Sequence, residues 1–225
     1  MSAGPAGAGA GTHLGAAEQL AWLRVQADPA GLVLGRSVER ELVPVRLFRE
    51  DPVRATLIGG WWLASLVAFR ALAVGAMVAV NTTAPDRWHP LVRAVQGSDR
   101  LVVMVGDRPV KAAASWSSPM LLIDDLGPYA PAARGTLTPW QTRLTVLPWL
   151  TPAGAVVAGS ATLLMTQRLA PEEVGLLRMD DRTAGLIQAM HDDMVALVGG
   201  GANRYVWLTP TSVETHFFGA PHRSR

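Results

Sequence analysis

Short apolar runs alternate with helix-period segments along most of this chain. "ATLIGG" at 55–60 reads as a β run closing on two glycines, and "WWLASLVAFRALAV" at 61–74 as a helix. Gly75 is placed to stop that helix before "AMVAVNTT", a second β run at 76–83. Within the helix, Trp62, Leu66, Phe69 and Ala73 fall at i, i+4, i+7 and i+11, with Leu63, Val67 and Arg70 on an adjoining stripe. From there Arg70 is placed to reach a carboxylate or carbonyls at a strand end. "APDRWHPLVRAV" follows as a helix opened by Pro85 and Asp86, with His89 as a helix-opening residue. "RLVVMVG" at 100–106, "PMLLIDDLG" at 119–127, "GAVVAGSATLLMTQ" at 154–167 and "RYVWL" at 204–208 complete the strands. "GTLTPWQTRLTVLPWL" at 135–150 reads as a loop and short helix, capped by Thr138 and opened by Pro139.

Strands that are apolar throughout, separated by helices, indicate an α/β domain: a mostly parallel sheet of five to seven strands with helices on both faces. The competing reading of residues 56–80 is a membrane span, since about 20 apolar residues suffice for one. Arg70 would then lie near the bilayer centre, at a cost of about 2.5 to 3.5 kcal/mol, and Gly75 would interrupt the helix. The βαβ reading explains both residues. Residues 1–16 are expected to be a disordered Gly/Ala-rich tail, 17–219 a single domain, and 220–225 a frayed C-terminus. Gly7, Gly9 and Gly11 lack the preceding strand that a dinucleotide loop requires, and "MSAGPAGAGAGT" lacks the pattern of a secretory signal.

Composition narrows the function classes. With 49% hydrophobic residues over 225 positions the chain can bury a full core. The absence of cysteine excludes disulfides, thiolate metal sites and a cysteine nucleophile, and suits a reducing, cytoplasmic setting. The formal charge of +2 is small, Lys111 is the sole lysine, and the arginines are scattered, so a nucleic-acid footprint is not expected.

Candidate chemistry centres on two stretches. Gly59 and Gly60 follow a strand and precede a helix, the place of a phosphate loop. Counted as GxxxxGK[ST] from Gly59, however, the second glycine falls on Ala64, the lysine on Ser65 and the hydroxyl residue on Leu66. Asp124 and Asp125 end an apolar strand, where nucleotide hydrolases hold the water shell of Mg²⁺. "HDDM" at 191–194 reads as part of a helix with the stripe Ile187, Met190, Met194 and Leu197. Its consecutive acids fan apart, so no metal site is expected. "GSAT" around Ser160 lacks the second glycine of a nucleophile elbow. Tryptophans 61, 62, 88, 140, 149 and 207 sit near element ends, where an indole can bury its ring and still satisfy its N–H.

On these residues the chain resembles a known family. "GLVLGRSVERELVPVRLFREDPVRATLIGGWWLASLVAFRALA" resembles the lead-in to the phosphate loop of FtsK/SpoIIIE-type motor domains, including those of type VII (ESX) secretion, and the tail from 166 to 214 is similar in layout to FtsK- and HerA-like motors. Phe69 and Arg70 fall where that family has "LR" after its loop, and Asp124 and Asp125 on its second acidic motif. The resemblance implies a degenerate P-loop NTPase-like fold, since lysine and hydroxyl are missing and two indoles fill the loop. It further implies a non-catalytic, pseudo-ATPase-like, protein-binding module with no cofactor, a cytoplasmic accessory component of an actinobacterial type VII-like secretion machine. Its partner would be a secretion motor ATPase or other component, with membrane association only through partners. On this reading Gly59, Gly60, Ser65, Asp124 and Asp125 are vestigial site positions, and Arg70 is an ion-pair partner for the two aspartates. Two alternatives are a nucleotide-binding enzyme or sensor with an altered phosphate loop, and a membrane-associated protein anchored through residues 56–80.

Overall fold

The structure, a computed structural model, describes residues 31–108, 110, 113–129, 135–199 and 203–223. The expected tail over 1–16, the glycines within it and Lys111 lie outside the described residues. Among the described residues ten strands form one sheet: β1 (Leu32–Arg36), β2 (Leu42–Val45), β3 (Val53–Ile58), β4 (Met77–Thr82), β5 (Leu101–Val105), β6 (Met120–Asp125), β7 (Gln141–Leu147), β8 (Leu163–Thr166), β9 (Met194–Gly199) and β10 (Arg204–Leu208). Their order is β2-β1-β10-β9-β8-β3-β7-β6-β4-β5. From β8 to β5 every pairing is parallel, whereas β9, β10, β1 and β2 extend the sheet with antiparallel pairings. The expected mostly parallel sheet is therefore present, larger than foreseen because a hairpin from each end of the chain widens it.

Among the described residues six helices flank it: α1 (Trp61–Ala73), α2 (His89–Ala94), α3 (Pro152–Gly159), α4 (Pro171–Gly175), α5 (Asp181–Ala189) and α6 (Ser212–Phe218), with a 3-10 turn at Pro85–Trp88. On one face Trp62, Leu63, Leu66 and Val67 of α1 pack on Leu57, Val80, Ile123, Leu144 and Val146 in the main core. On the other, Ala158, Val174, Ile187 and Met190 cover Ile58, Leu147, Leu164 and Ala196. Burial on both faces is why the central strands are apolar at successive positions rather than alternate ones.

Residues 56–80 divide into the end of β3, a helix of 13 residues and β4. At 1.5 Å per residue that helix is about 20 Å long, short of the roughly 30 Å hydrocarbon core. No helix among the described residues is long and apolar enough to cross a membrane. The anchor reading is thereby overturned: protein, not lipid, covers these residues, and Leu57, Leu66 and Val80 are all fully buried. Gly75, at φ +86°, ends α1 as expected by adopting a conformation that strains other residues.

Three stretches depart from their sequence reading. Of the Thr-Pro pairs at 138–139 and 151–152, only the second starts a helix: the Thr151 hydroxyl accepts from Gly154 N, and Pro152 opens α3. The first lies in a turn in which Trp140 adopts φ 64° and Gln141 Oε1 accepts from Thr138 N. The residues after it form β7, whose Thr142, Thr145 and Val146 favour an extended backbone between β3 and β6. "GAVVAGSATLLMTQ" is correspondingly half helix and half strand. Beyond Ala189 the expected helix does not continue; Met190 is extended at ψ 148°, and Met194–Gly199 form β9. Ile187 then packs on one face of the sheet and Leu197 on the other, so they share no helical stripe.

Arg70 fastens α1 to the far ends of the chain. Its guanidinium donates to both carboxylate oxygens of Glu214 at 2.7 and 2.8 Å, and to the carbonyls of Val33 and Thr209. Glu214 also completes a capping box, accepting from Thr211 N while the Thr211 hydroxyl accepts from Glu214 N. The expected pairing of Arg70 with Asp124 and Asp125 is thus replaced by Glu214, because the stripe carrying Arg70 faces α6 and β1 rather than the acidic strand end. Burial pushes the Glu214 carboxyl up, but hydrogen bonds from Arg70 and Thr211 together with the Arg70 charge outweigh it and hold the group below its ordinary value of 4.5.

A folded-state value below the unfolded one means that the stability from Glu214 is fully present above pH 4.5 and lost as pH falls below it. Urea denaturation across this range should therefore show wild-type stability declining below that point, and a shallower decline for Glu214→Gln, which starts from lower stability at neutral pH. Arg70→Ala, which strands a buried carboxylate, should cost about 3 to 5 kcal/mol in the same assay at pH 7.

Candidate functional site

In an open parallel sheet, ligands bind beyond the carboxyl ends of the strands, where crossovers leave in opposite directions. Here that place is β3, flanked by β7 and β8: the chain leaves β3 toward β4 and leaves β7 across β3 toward β8. Gly59 and Gly60 sit at this crevice, as their sequence context indicated. β3 ends at Ile58 and α1 begins at Trp61, so the two glycines are the whole connection. Ala64 and Ser65, which a phosphate-loop count assigns to a loop, already lie inside α1, and Ser65 is fully buried. Its hydroxyl has no hydrogen-bond partner among the described residues. Two residues do not form the open turn of backbone N–H groups that surrounds a phosphate.

The N–H groups at the turn are already engaged. Gly59 N donates to Leu147 O at 2.9 Å, and Gly60 N donates to the side-chain oxygen of Gln167 at 2.7 Å. Gln167 follows β8 and is fully buried; its backbone N donates to Ile58 O, which sets its side chain across the turn. A Cβ on Gly59 would stand 2.6 Å from that same Gln167 oxygen, so any other residue there would push the amide from its place on Gly60 N. The Gln167 amide thus fills the position in front of Gly60 that a phosphate oxygen would need.

Residues 219–223 cross over this arrangement. Trp62 Nε1 donates to Gly219 O at 3.0 Å, and Gln167 Nε2 donates to His222 O at 3.2 Å. Arg223 donates through both terminal nitrogens to Glu173, at 2.9 and 2.5 Å, and also to Arg168 O and Pro148 O. The side chains of Arg223 and Glu173 are 9% and 7% exposed. Residues 220–223, expected to fray, are therefore held by a charged pair that sequence periodicity could not reveal. Glu173 also accepts from Leu150 N and Ala170 N. Burial pushes its carboxyl up, and these donors with Arg223 more than reverse the effect, leaving it below the ordinary value.

The acidic strand end is occupied in a different way. Asp124 and Asp125 point to opposite faces of the sheet, as successive strand residues must. Asp125 is buried and accepts from the Thr82 hydroxyl and from Trp88 Nε1, both at 2.9 Å. Asp124 accepts from Asn81 Nδ2 at 3.2 Å and faces Arg143 Nε at 3.5 Å. Asp124 pairs with Thr145, which pairs with Thr56, two residues before the end of β3. It therefore lies two strands, about 10 Å, to the side of the glycine turn. Arg70 is not part of this group, being bound to Glu214. No cluster of three or more His, Asp or Glu suited to a metal occurs among the described residues. Of the expected site positions the structure brings Gly59 and Gly60 together with Gln167, Glu173 and Arg223, which sequence reasoning did not single out.

The chain matches no protein-family model, and no curated protein matches it in sequence. Solved structures share its fold. VirB4 of Thermoanaerobacter pseudethanolicus superposes with a TM-score of 0.56 at 9% identity, covering 84% of this chain and 99% of that one. The genome packaging NTPase B204 from Sulfolobus turreted icosahedral virus 2, in complex with AMPPCP, gives 0.50 at 11% identity, covering 71% and 98%. B204 described as the DNA-packaging ATPase from Sulfolobus turreted icosahedral virus gives 0.50 at 12%, covering 70% and 98%. At such identities the likeness is one of fold: a P-loop NTPase-like α/β sheet, mostly parallel as the sequence pattern indicated and of the type that the family resemblance implied.

Proposed function

We propose that this chain is a non-catalytic relative of P-loop motor ATPases that acts by binding another protein, as an accessory component of a secretion machine. The observation that carries this reading is the two-residue connection from β3 to α1, closed by the Gln167 amide on Gly60 N. A nucleotide at this place would need the N–H groups already bonded here, a lysine where Ser65 lies inside the helix, and the space that residues 219–223 fill. Asp125, bonded to Thr82 and Trp88, has its charge engaged in the structure of the strand end. The fold shared with VirB4 and with a packaging ATPase solved with a nucleotide analogue supports derivation from a working motor that has given up its phosphate loop. The family resemblance of residues 31–73 makes a type VII-like apparatus in the cytoplasm the proposed setting, with a motor ATPase as partner, no nucleic acid bound, and any membrane contact made through that partner.

Nucleotide titration tests the closed site. Ligand at 100 times its Kd raises stability by about 2.7 kcal/mol, so Mg-ATP or Mg-GTP at millimolar concentration should leave the melting temperature of the full chain unchanged. A saturable rise with either nucleotide would overturn the reading in favour of a nucleotide sensor.

A further inference from the structure

Residues 219–223 do not behave as ordinary packing, because their anchorage is chemically specific and their backbone is not part of the sheet. Four acceptors converge on one guanidinium: both oxygens of Glu173, Arg168 O and Pro148 O. These acceptors come from the connections after β7 and after β8, and Glu173 is itself fixed by Leu150 N and Ala170 N. The cradle is therefore built by the fold. It carries a buried negative charge and carbonyl oxygens, so it selects a cation, and the paired geometry on Glu173 matches a planar fork better than an ammonium. Two further groups on the same line read backbone carbonyls: Gln167 Nε2 on His222 O and Trp62 Nε1 on Gly219 O.

The occupant is open to exchange. Gly219, Ala220 and His222 are exposed, and the segment belongs to no strand or helix. Beside Arg223 lies a cavity of about 650 Å³ lined by Gln167, Arg168, Ala170, Gln188 and Asp192, so a competing chain has room to approach. Segments held by a few end contacts sit at the low-stability end of a fold.

We propose that this groove is a recognition site for an arginine-bearing extended peptide, filled in cis by residues 219–223 and open in trans to a partner segment that presents an arginine to Glu173. The inference rests on the reading of the chain as a protein-binding module and supplies the chemistry of its partner. Phosphate-bearing ligands are disfavoured at the same place, because removal of Arg223 leaves the Glu173 carboxylate facing the groove.

Chemical rescue in the full chain tests this. Arg223→Ala empties the cradle while leaving the rest of the segment in place. N-acetyl-arginine amide at millimolar concentration should raise the melting temperature of this variant and not that of the wild type, and N-acetyl-lysine amide should raise it less. A labelled peptide GAPHRSR, matching residues 219–225, should bind the variant at least about tenfold more tightly than the same peptide with Ala in place of its first arginine. In the double variant Arg223→Ala/Glu173→Gln both effects should disappear. A folded Arg223→Ala protein that shows no rescue, or that binds the two peptides equally, overturns the proposal. Should Arg223→Ala not fold, wild-type protein with the labelled peptide in excess gives the same reading, because the preference for arginine over alanine persists under competition. Nucleotide binding is read separately on the wild-type chain, so a failure there leaves the peptide result standing, and the reverse holds too.

Discussion

The distance between the end of β3 and the first turn of α1 is the constraint from which the rest of the site follows. With two glycines as the whole connection, α1 starts directly against the sheet, its Trp62 ring enters the core, and the position in front of Gly60 is taken by the Gln167 amide. A buried Gly60 N–H still needs an acceptor. Gln167 supplies one, and its remaining amide protons need a further acceptor, which His222 O provides. The chain of satisfied groups thus passes from the turn to β8 and then to residues 219–223, and Arg223 with Glu173 ends it.

A second set of bonds operates at the other end of α1. Arg70 gathers β1, the segment after β10 and α6 around one guanidinium, while Phe69 meets Phe218 edge-on at 5.7 Å. The two ends of α1 therefore hold the same C-terminal region, at α6 and at the segment that follows it. Charge in each case is confined to one half-buried arginine and one buried glutamate whose carboxylate also accepts from backbone N–H. Such pairs add little net stability as pairs, but each is costly to break.

The strands from β3 to β6 were legible in the sequence, because they leave uninterrupted apolar runs and Gly75 marks the stop between α1 and β4, whereas β1 and β2 were not read as strands. What misled was Thr-Pro at 138–139, which has the chemistry of a helix start in a segment whose neighbours demand a strand. Thr142, Thr145 and Val146 carried the correcting signal. At the site, Gly59 and Gly60 were legible as a turn, whereas the length of that turn was not, since a phosphate loop and a helix start differ here only in where helical hydrogen bonding begins. Glu173 was hidden in the opening turn of α4, where a glutamate ordinarily needs no further explanation. Arg223 was hidden because segments without periodicity give no sign of burial. Arg70 was recognised as a residue that must find a buried partner, and the partner was misassigned because the choice between Glu214 and Asp124 depends on the direction in which its stripe faces.

The strand order also fixes when this protein can become itself. β3, at residues 53–58, has as its two neighbours β7 at 141–147 and β8 at 163–166, and β1 at 32–36 pairs with β10 at 204–208. An emerging chain therefore carries this central strand without either neighbour for roughly ninety residues of synthesis, and contacts of such sequence separation form slowly. Until β7 at 141–147 has been made, both edges of β3 remain unpaired and the apolar face of α1 lacks part of its cover, so the nascent chain depends on whatever shields it during that interval.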